Sequence, residues 1–482
     1  MADVSEISWN GEVPTFVVVG HPNKGKSSVV AALAQDDSVR IEPRSGTTTR
    51  STSYLIEVDG QPVYRLVDTP GFQRPRRALA WMRERAATAA ERPGAVQAFV
   101  DEHRASGEMA DECALLAPLL EGGLVVYVVD GSVPYGPDYE DEMEILRWTG
   151  RPGLGLINPI RNREHVETWQ TALRQFLGVV CEFDPVQADF AAQLEVLRRF
   201  GAVADASGER VGRALELIKA ARERAHDRAA MAVASWVATA LTARVEKLLE
   251  KDGIATAHEP ALREAYQQKL IEGESRARRE VERIYRHGRL ERREAALEVG
   301  SEDLFAVDRW YLWGLDRRQM LTTLATAGAG AGAAGGVAVD VGLGGASLAA
   351  GAFFGAVAGG ASGLLAGVRY SDRLARMKLG PLTLAGRRAV YGPSVHPNLP
   401  FVVLGRALAH QREVARWSHA RRQVMALDDR GDEAIWRLPA FDAVRSELEK
   451  AFRRVRKSDG DHGSVERLSG AIRPLLTLTD AE

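Results

Sequence analysis

Cysteine is almost missing: Cys113 and Cys181 are the only two in 482 residues. Two thiols are too few for a disulfide framework, and with the ten scattered histidines they do not fall into a zinc-ligand spacing. A reducing, cytoplasmic compartment fits this usage. An excess of either charge is missing too, since 63 Lys+Arg stand against 65 Asp+Glu for a formal net charge of -2. No chain-wide positive field therefore recruits nucleic acid or an anionic membrane, and any such affinity must be local. Residues Met1 to Glu12 mix acids with polar groups and lack the basic-then-apolar layout of a secretory leader, so export by that route is not expected. What the chain does have is length: at about 100–200 residues per domain, it holds at least two domains.

Three compositional zones follow one another. From about residue 13 to about 203, short aliphatic runs alternate with helix-like stretches, the pattern of an α/β domain with a mostly parallel sheet. The runs cover 15–19, 53–58, 63–67, 124–129, 154–157 and 179–183, and their continuous apolar character predicts strands buried on both faces. Asp59-Gly60 is a hairpin signal between the second and third runs, which makes that pair the expected antiparallel element. A helical stretch from Gln73 to about Glu121, rich in Arg, Ala and Glu, interrupts the alternation. It reads either as a surface insertion or as an element that reports the state of the site to the C-terminal half.

The expected boundaries are 1–203 for the α/β domain and 204–482 for a mainly helical C-terminal domain. In the second zone Val233, Val237, Leu241, Val245 and Leu248 share one helical face. Glu274 to Glu298 is dense in both charge signs and reads as a solvated helix laced with i to i+4 ion pairs, with RNA binding as the other reading.

In the third zone, the segment 319–368 carries one charged residue, Asp340. Gly328, Gly332 and Gly336, then Gly351, Gly355, Gly359, Gly363 and Gly367, recur at every fourth position, which gives flat stripes suited to close helix packing. Two readings stand. One is a helical hairpin turning near Asp340 that enters or docks on a membrane, with Arg317, Arg318, Arg369 and Arg373 holding both ends on the cytoplasmic face. The other is a tightly packed Ala/Gly helix pair inside a soluble domain.

Directly after the first strand, Gly20-His21-Pro22-Asn23-Lys24-Gly25-Lys26-Ser27 matches GxxxxGK[ST] in the strand-loop-helix context that this motif requires. Such a loop wraps a polyphosphate with backbone N–H groups, places the Lys26 ammonium on the β/γ-oxygens and turns the Ser27 hydroxyl to Mg²⁺. Asp68-Thr69-Pro70-Gly71 closes the third strand, where a carboxylate can hold the metal through water and the Gly71 N–H can sense a γ-phosphate. Between them lies Arg44-Ser45-Gly46-Thr47-Thr48-Thr49-Arg50, a threonine-rich loop placed to give the metal a second hydroxyl.

Together these loops resemble the Era-like and TrmE-like branch of small bacterial P-loop GTPases (TRAFAC class), which read GxPNxGKS, GTTR and DTPG. The resemblance covers about the first 180 residues. It implies GTP hydrolysis with Mg²⁺, with Gly20, Asn23, Lys24, Gly25, Lys26, Ser27 and Ser28 on the phosphates. It further implies that Ser27, Thr48 and Asp68 serve the metal and that Lys26, Thr48 and Gly71 serve the reacting γ-phosphate. The threonine is Thr48 counted from Gly46 and Thr49 counted back from Arg50; Thr48 is preferred.

The sequence also departs from that pattern. Phe72 stands where Ras-like switches carry a water-orienting glutamine, and a phenyl ring cannot do that work. Asn23 matches the asparagine that coordinates K⁺ in some relatives, which implies slow intrinsic hydrolysis accelerated by K⁺ or by self-association. The base motif Asn-Lys-x-Asp is reduced to Asn158-Pro159-Ile160-Arg161, so the carboxylate that pairs with guanine is gone. The segment after the sixth strand, Glu182-Phe183-Asp184-Pro185, does not follow the usual Ser-Ala-Lys pattern either. The leading expectation is a GTP/GDP switch coupled to a membrane-associating helical domain on the inner face of the cell membrane. The alternatives are a membrane-associated scaffold with a vestigial nucleotide site, and a ribosome- or RNA-associated GTPase. Nucleic acid is not the expected partner, because no RNA-binding module is recognisable.

Overall fold

The first strand, Thr-Phe-Val-Val-Val at Thr15–Val19 (β1), is built from residues that sit well on a pleat. The computed structural model describes residues 13–35, 51–203, 208–249, 255–288, 290, 292–293, 382–385, 388–394, 399–426 and 439–477. The expectations for Thr48, Thr49 and the segment 319–368 lie outside the described residues.

The chain divides into two compact units. The first holds residues up to Ala225 together with 286–289 and 415–423; the second holds 226–285, 290–414 and 424–482. In the first unit β1, Thr52–Val58 (β2), Gln61–Asp68 (β3), Leu124–Asp130 (β4), Gly153–Asn158 (β5) and Val179–Glu182 (β6) form one sheet in the order β2-β3-β1-β4-β5-β6. Every pairing is parallel except β2 with β3. The hairpin between those two turns at Asp59 and Gly60, both at positive φ (52° and 75°), as the sequence led us to expect.

Alternation along β1 shows why the strands read as unbroken apolar runs. Phe16 and Val18 enter one buried cluster, and Val17 and Val19 enter another on the opposite face. The first cluster takes Val30 and Leu33 from Lys26–Ala34 (α1) and Val196 and Phe200 from Phe190–Val203 (α7). It also takes Val211, Ala214 and Ile218 from Gly208–Thr242 (α8), and Ala420.

The second cluster is closed by the segment that follows the second switch. This stretch forms Pro75–Arg83 (α2), Arg92–Ser106 (α3) and Ala110–Leu120 (α4), which pack beside Asp138–Trp148 (α5), and Val166–Leu173 (α6) joins the same cluster. Leu79, Met82, Val96, Phe99, Leu115, Leu116 and Leu119 are all buried against Val17, Val125 and Tyr127. A surface insertion is therefore the wrong description of 73–121. Its arginines and its glutamates other than Glu112 are exposed or half-buried, while its apolar face shares in covering one side of the sheet.

In the second unit the described elements are mainly helical: the latter part of α8, Glu259–Ile284 (α9), Leu399–Arg416 (α10), Pro439–Lys457 (α11) and His462–Thr477 (α12). Two features differ from the sequence reading. The apolar stripe of α8 ends at Thr242, and Val245–Leu248 (β7) is the edge of a small antiparallel sheet, paired with Arg388–Tyr391 (β9) and through it with Leu382–Ala385 (β8). Pairing with a distant strand overrides the helical period there, and Leu248 is left 71% exposed.

The second difference is in α9. Glu274, Arg278 and Glu282 are buried, not solvated. Arg406 of α10 forks onto both oxygens of Glu274 (2.9 and 3.2 Å), Arg278 adds a contact to the same carboxylate at 2.8 Å, and His410 Nε2 lies 3.1 Å from Glu282. The solvated reading holds for Glu280 and Arg283, an exposed i, i+3 pair. Among the described residues no helix is long and apolar enough to cross a membrane.

Because Leu116 is wholly buried in the sheet-covering cluster, Leu116→Ala should lower unfolding free energy by about 2–5 kcal/mol. Urea denaturation of the full chain measures this. A loss below about 0.5 kcal/mol, the range of ordinary surface changes, would return the segment to the status of a surface appendage.

Candidate functional site

The site forms where β1 ends and α1 begins. Gly20 is buried at the strand end, Asn23 is exposed in a left-handed conformation (φ 61°), and Gly25 caps α1 at φ 84°. A side chain at Gly25 would be strained by the positive φ, and its Cβ would lie 2.3 Å from Nδ2 of Asn158, which would have to move away. That close approach brings the base motif to the phosphate loop: Asn158, buried at the end of β5, donates from Nδ2 to the Lys24 carbonyl (3.2 Å). The first amides of α1, including those of Ser27 and Ser28, lie at the helix N-terminus, where an anion is favoured.

Lys26 is buried, and its Nζ donates to the carbonyls of Gly20 (3.1 Å) and His21 (2.9 Å). Burial pulls its pKa down to about 8, with the carboxylates of Asp68 and Glu142 opposing the fall. Ser27 Oγ donates to Asp68 Oδ2 at 2.7 Å, so the hydroxyl and the carboxylate expected to serve the metal already touch. These are hard oxygen donors, the type that Mg²⁺ prefers, and the Lys26 ammonium and the N-terminus of α1 beside them favour an anion. The residues present fit a magnesium-bound nucleoside triphosphate.

The second switch is stitched to this loop. Gly71 sits so close to Pro22 that a Cβ would lie 2.5 Å from the proline nitrogen, and the Phe72 N–H donates to the Gly20 carbonyl (3.3 Å). Thr69 Oγ1 donates to Val18 O (2.7 Å). The Phe72 ring is fully buried in the cluster beneath α2–α4.

Sequence reasoning missed several residues that shape the site. Glu142 of α5 is fully buried, with one oxygen 2.8 Å from His21 Nδ1 and the other accepting from Tyr127 OH at 2.9 Å. Burial raises its pKa; the His21 and Tyr127 contacts and the Lys26 charge oppose that rise. Tyr127 is raised well above its ordinary value by burial first and by Glu142 second. The signal was available, since Glu142 lies three residues after Tyr139 and four before Leu146 and so falls on the apolar face of its helix. Glu112 of α4, also buried, accepts from the backbone N–H groups of Gln73 (2.9 Å) and Arg74 (2.6 Å), which fixes the chain just past the switch. Lys24 Nζ faces Asp130 at 3.7 Å. Beyond Asn158 the base motif gives no carboxylate: Pro159 is half-buried, and Ile160 and Arg161 are exposed.

Strand order, loop and switch define the first unit as a P-loop GTPase domain, and residues 15–143 match the family described as 50S ribosome-binding GTPase. Residues 170–469, well over half of the chain, match the domain of unknown function DUF3482, and the chain belongs to that family.

Among curated relatives, tRNA modification GTPase MnmE of Laribacter hongkongensis is 30% identical over 207 residues, 42% of this chain and 43% of that protein. GTPase Der of a Nostoc species is 41% identical over 73 residues, 15% of this chain and 16% of that one. The chain spans less than half the length of these relatives. A solved structure of an Aquifex aeolicus Era variant bound to GDP and AlF4⁻ is 17% identical, with a TM-score of 0.28, over 56% of this chain and 89% of that one.

Since Lys26 in the free protein loses its proton above a pH of about 8, binding of a triphosphate at higher pH must take up a proton. Affinity is therefore full below that pH and falls above it, by up to about tenfold per pH unit. Calorimetric titration between neutral and strongly alkaline pH, in buffers of different ionisation enthalpy, checks both the slope and the uptake.

Proposed function

We propose that the chain is a GTPase that hydrolyses GTP to GDP and phosphate and uses the bound nucleotide as a switch. The observation that carries this reading is the convergence of Lys26, Ser27 and Asp68 at one end of a glycine-bounded loop, with Gly71 pressed against it. In this reading Gly20, Asn23, Lys24, Gly25, Lys26, Ser27 and Ser28 hold the phosphates, and Ser27, Thr48 and Asp68 serve Mg²⁺. The metal, when bound, neutralises charge on the β- and γ-phosphates. Lys26 gives up its two carbonyl contacts to take a phosphate oxygen, and Gly71 reports the γ-phosphate to the segment anchored by Glu112. Helices α2–α4 then carry the state of the switch, because they are packed into the core directly behind it.

Phe72 offers no group to orient water, so the intrinsic rate is slow, and acceleration comes from K⁺ near Asn23 or from self-association. Guanine is the preferred base by likeness to MnmE and Der, which are named GTPases. The segment 319–368 is the proposed membrane contact, which places the protein in the cytoplasm and at the inner face of the cell membrane. A second reading, association with the ribosome or RNA, is favoured by the description of the matched GTPase family as ribosome-binding.

Lys26→Ala should remove GTP binding, lowering affinity at least about a hundredfold, as expected for losing a charged contact to phosphate in a buried site. Titration with a fluorescent GTP analogue reads this, and retained affinity refutes the site. Turnover in potassium buffer should exceed that in sodium buffer or rise with protein concentration. A rate indifferent to both would remove the proposed route of activation.

A further inference from the structure

The loop after β6, residues 183–188, begins beside the base motif. Glu182 lies in register with Ile157, the neighbour of Asn158, and the Phe183 N–H donates to the Ile157 carbonyl (2.9 Å). The loop therefore stands at the base end of the site, one strand beyond Asn158, on the side of the sheet edge where β strands of this fold present ligands.

Its own sequence does part of the work of shaping it. Asp184 Oδ1 accepts from the N–H groups of Val186 (2.9 Å) and Gln187 (3.3 Å), an Asx turn, while Phe183 and Ala188 are buried in the first apolar cluster.

The remaining support comes from more than 200 residues further along the chain. Ser418, 2% exposed, donates from Oγ to the Pro185 carbonyl at 2.5 Å. It belongs to the strap 415–423, which takes the last two residues of α10 and the chain beyond it and lies within the first unit. Ala420 of the strap is buried in the same cluster as Phe183 and Ala188. The Ala415 carbonyl accepts from Arg222 of α8 (2.8 Å), and that guanidinium also lies over the Phe190 ring of α7 at 4.8 Å. His419 stacks on His287, ring centroids 4.0 Å apart and planes within 10°. The strap is thus fixed at four points along its length. The DUF3482 match, 170–469, takes in β6, the loop and the strap together.

We infer that the strap 415–423 is the outer support of the base end of the nucleotide site, and that Ser418 is the positioning residue that sets loop 183–188 against a bound purine. The inference rests on the reading of the chain as a purine-triphosphate binder. Removing the hydroxyl leaves a buried carbonyl without its donor, and the loop relaxes to find another. Contacts to the base then weaken. The phosphate cradle, held by β1, α1, Glu142 and Asn158, is not fastened by the strap and keeps its grip.

The test uses the full chain in Mg²⁺, with Ser418→Ala and Ser418→Thr compared with wild type. Affinities for GTP and for inorganic triphosphate are measured by displacement of a fluorescent GTP analogue, and thermal melting is followed in parallel. Ser418→Ala should weaken GTP about three- to tenfold, the range for one lost hydrogen bond, and leave inorganic triphosphate unchanged. Ser418→Thr, which keeps the hydroxyl, should restore GTP binding. Equal losses for GTP and inorganic triphosphate, no loss for either, or a threonine variant as weak as the alanine one would each overturn the inference. A wild-type chain that binds neither ligand overturns the nucleotide reading itself, and this inference with it.

Discussion

The nucleotide half depends on one constraint: an ammonium group, Lys26, has to be kept buried and charged inside a bend of main chain. Desolvation works against that charge and draws its pKa down to about 8. The fold answers with two carbonyls at hydrogen-bond distance and two carboxylates, Asp68 from the second switch and Glu142 from α5. Each of those carboxylates is itself held, Asp68 by Ser27 and Glu142 by His21 and Tyr127. The loop, the switch and α5, more than 60 residues beyond the switch, are therefore linked by electrostatics as well as by packing.

That linkage explains why residues 73–121 are not an appendage. They close the hydrophobic face behind the switch, and through Glu112 they grip the backbone at Gln73 and Arg74. Any displacement of Asp68–Gly71 would be felt first by the elements that share a core with it, because close-packed interiors transmit displacement rather than absorb it. The C-terminal part of the chain enters the same domain at α8 and at the strap, and Val211, Ile218 and Ala420 complete its other core. The nucleotide domain is thus finished by residues from far beyond its first 203 positions.

Buried charge recurs in the second unit, where Glu274, Arg278, Arg406, Glu282 and His410 face one another between α9 and α10. An apolar pairing of equal volume would cost less desolvation. What the ionic arrangement gives is register, since a forked guanidinium meets a carboxylate in few geometries. This network was invisible to periodicity, which counted Glu274, Arg278 and Glu282 within a solvated face; the partners that Glu274 and Glu282 meet on α10 lie 132 and 128 residues away.

The sequence alone determined the six strands of the first unit, the hairpin at Asp59-Gly60, the glycine loop 20–27 and the turn at Asp68–Gly71, because each is set by local rules. Such rules are the two-residue alternation of a pleat, the positive φ that glycine tolerates, and a lysine and a serine at fixed distance from a strand end. Tertiary structure alone decided that Val245 and Leu248 leave a helical stripe to join a sheet and that Glu142 faces Lys26 rather than water. It also decided that Ser418 fastens a loop near residue 185. Those outcomes turn on which distant partner is within reach, and a one-dimensional pattern records the period of a side chain but not the identity of what it meets.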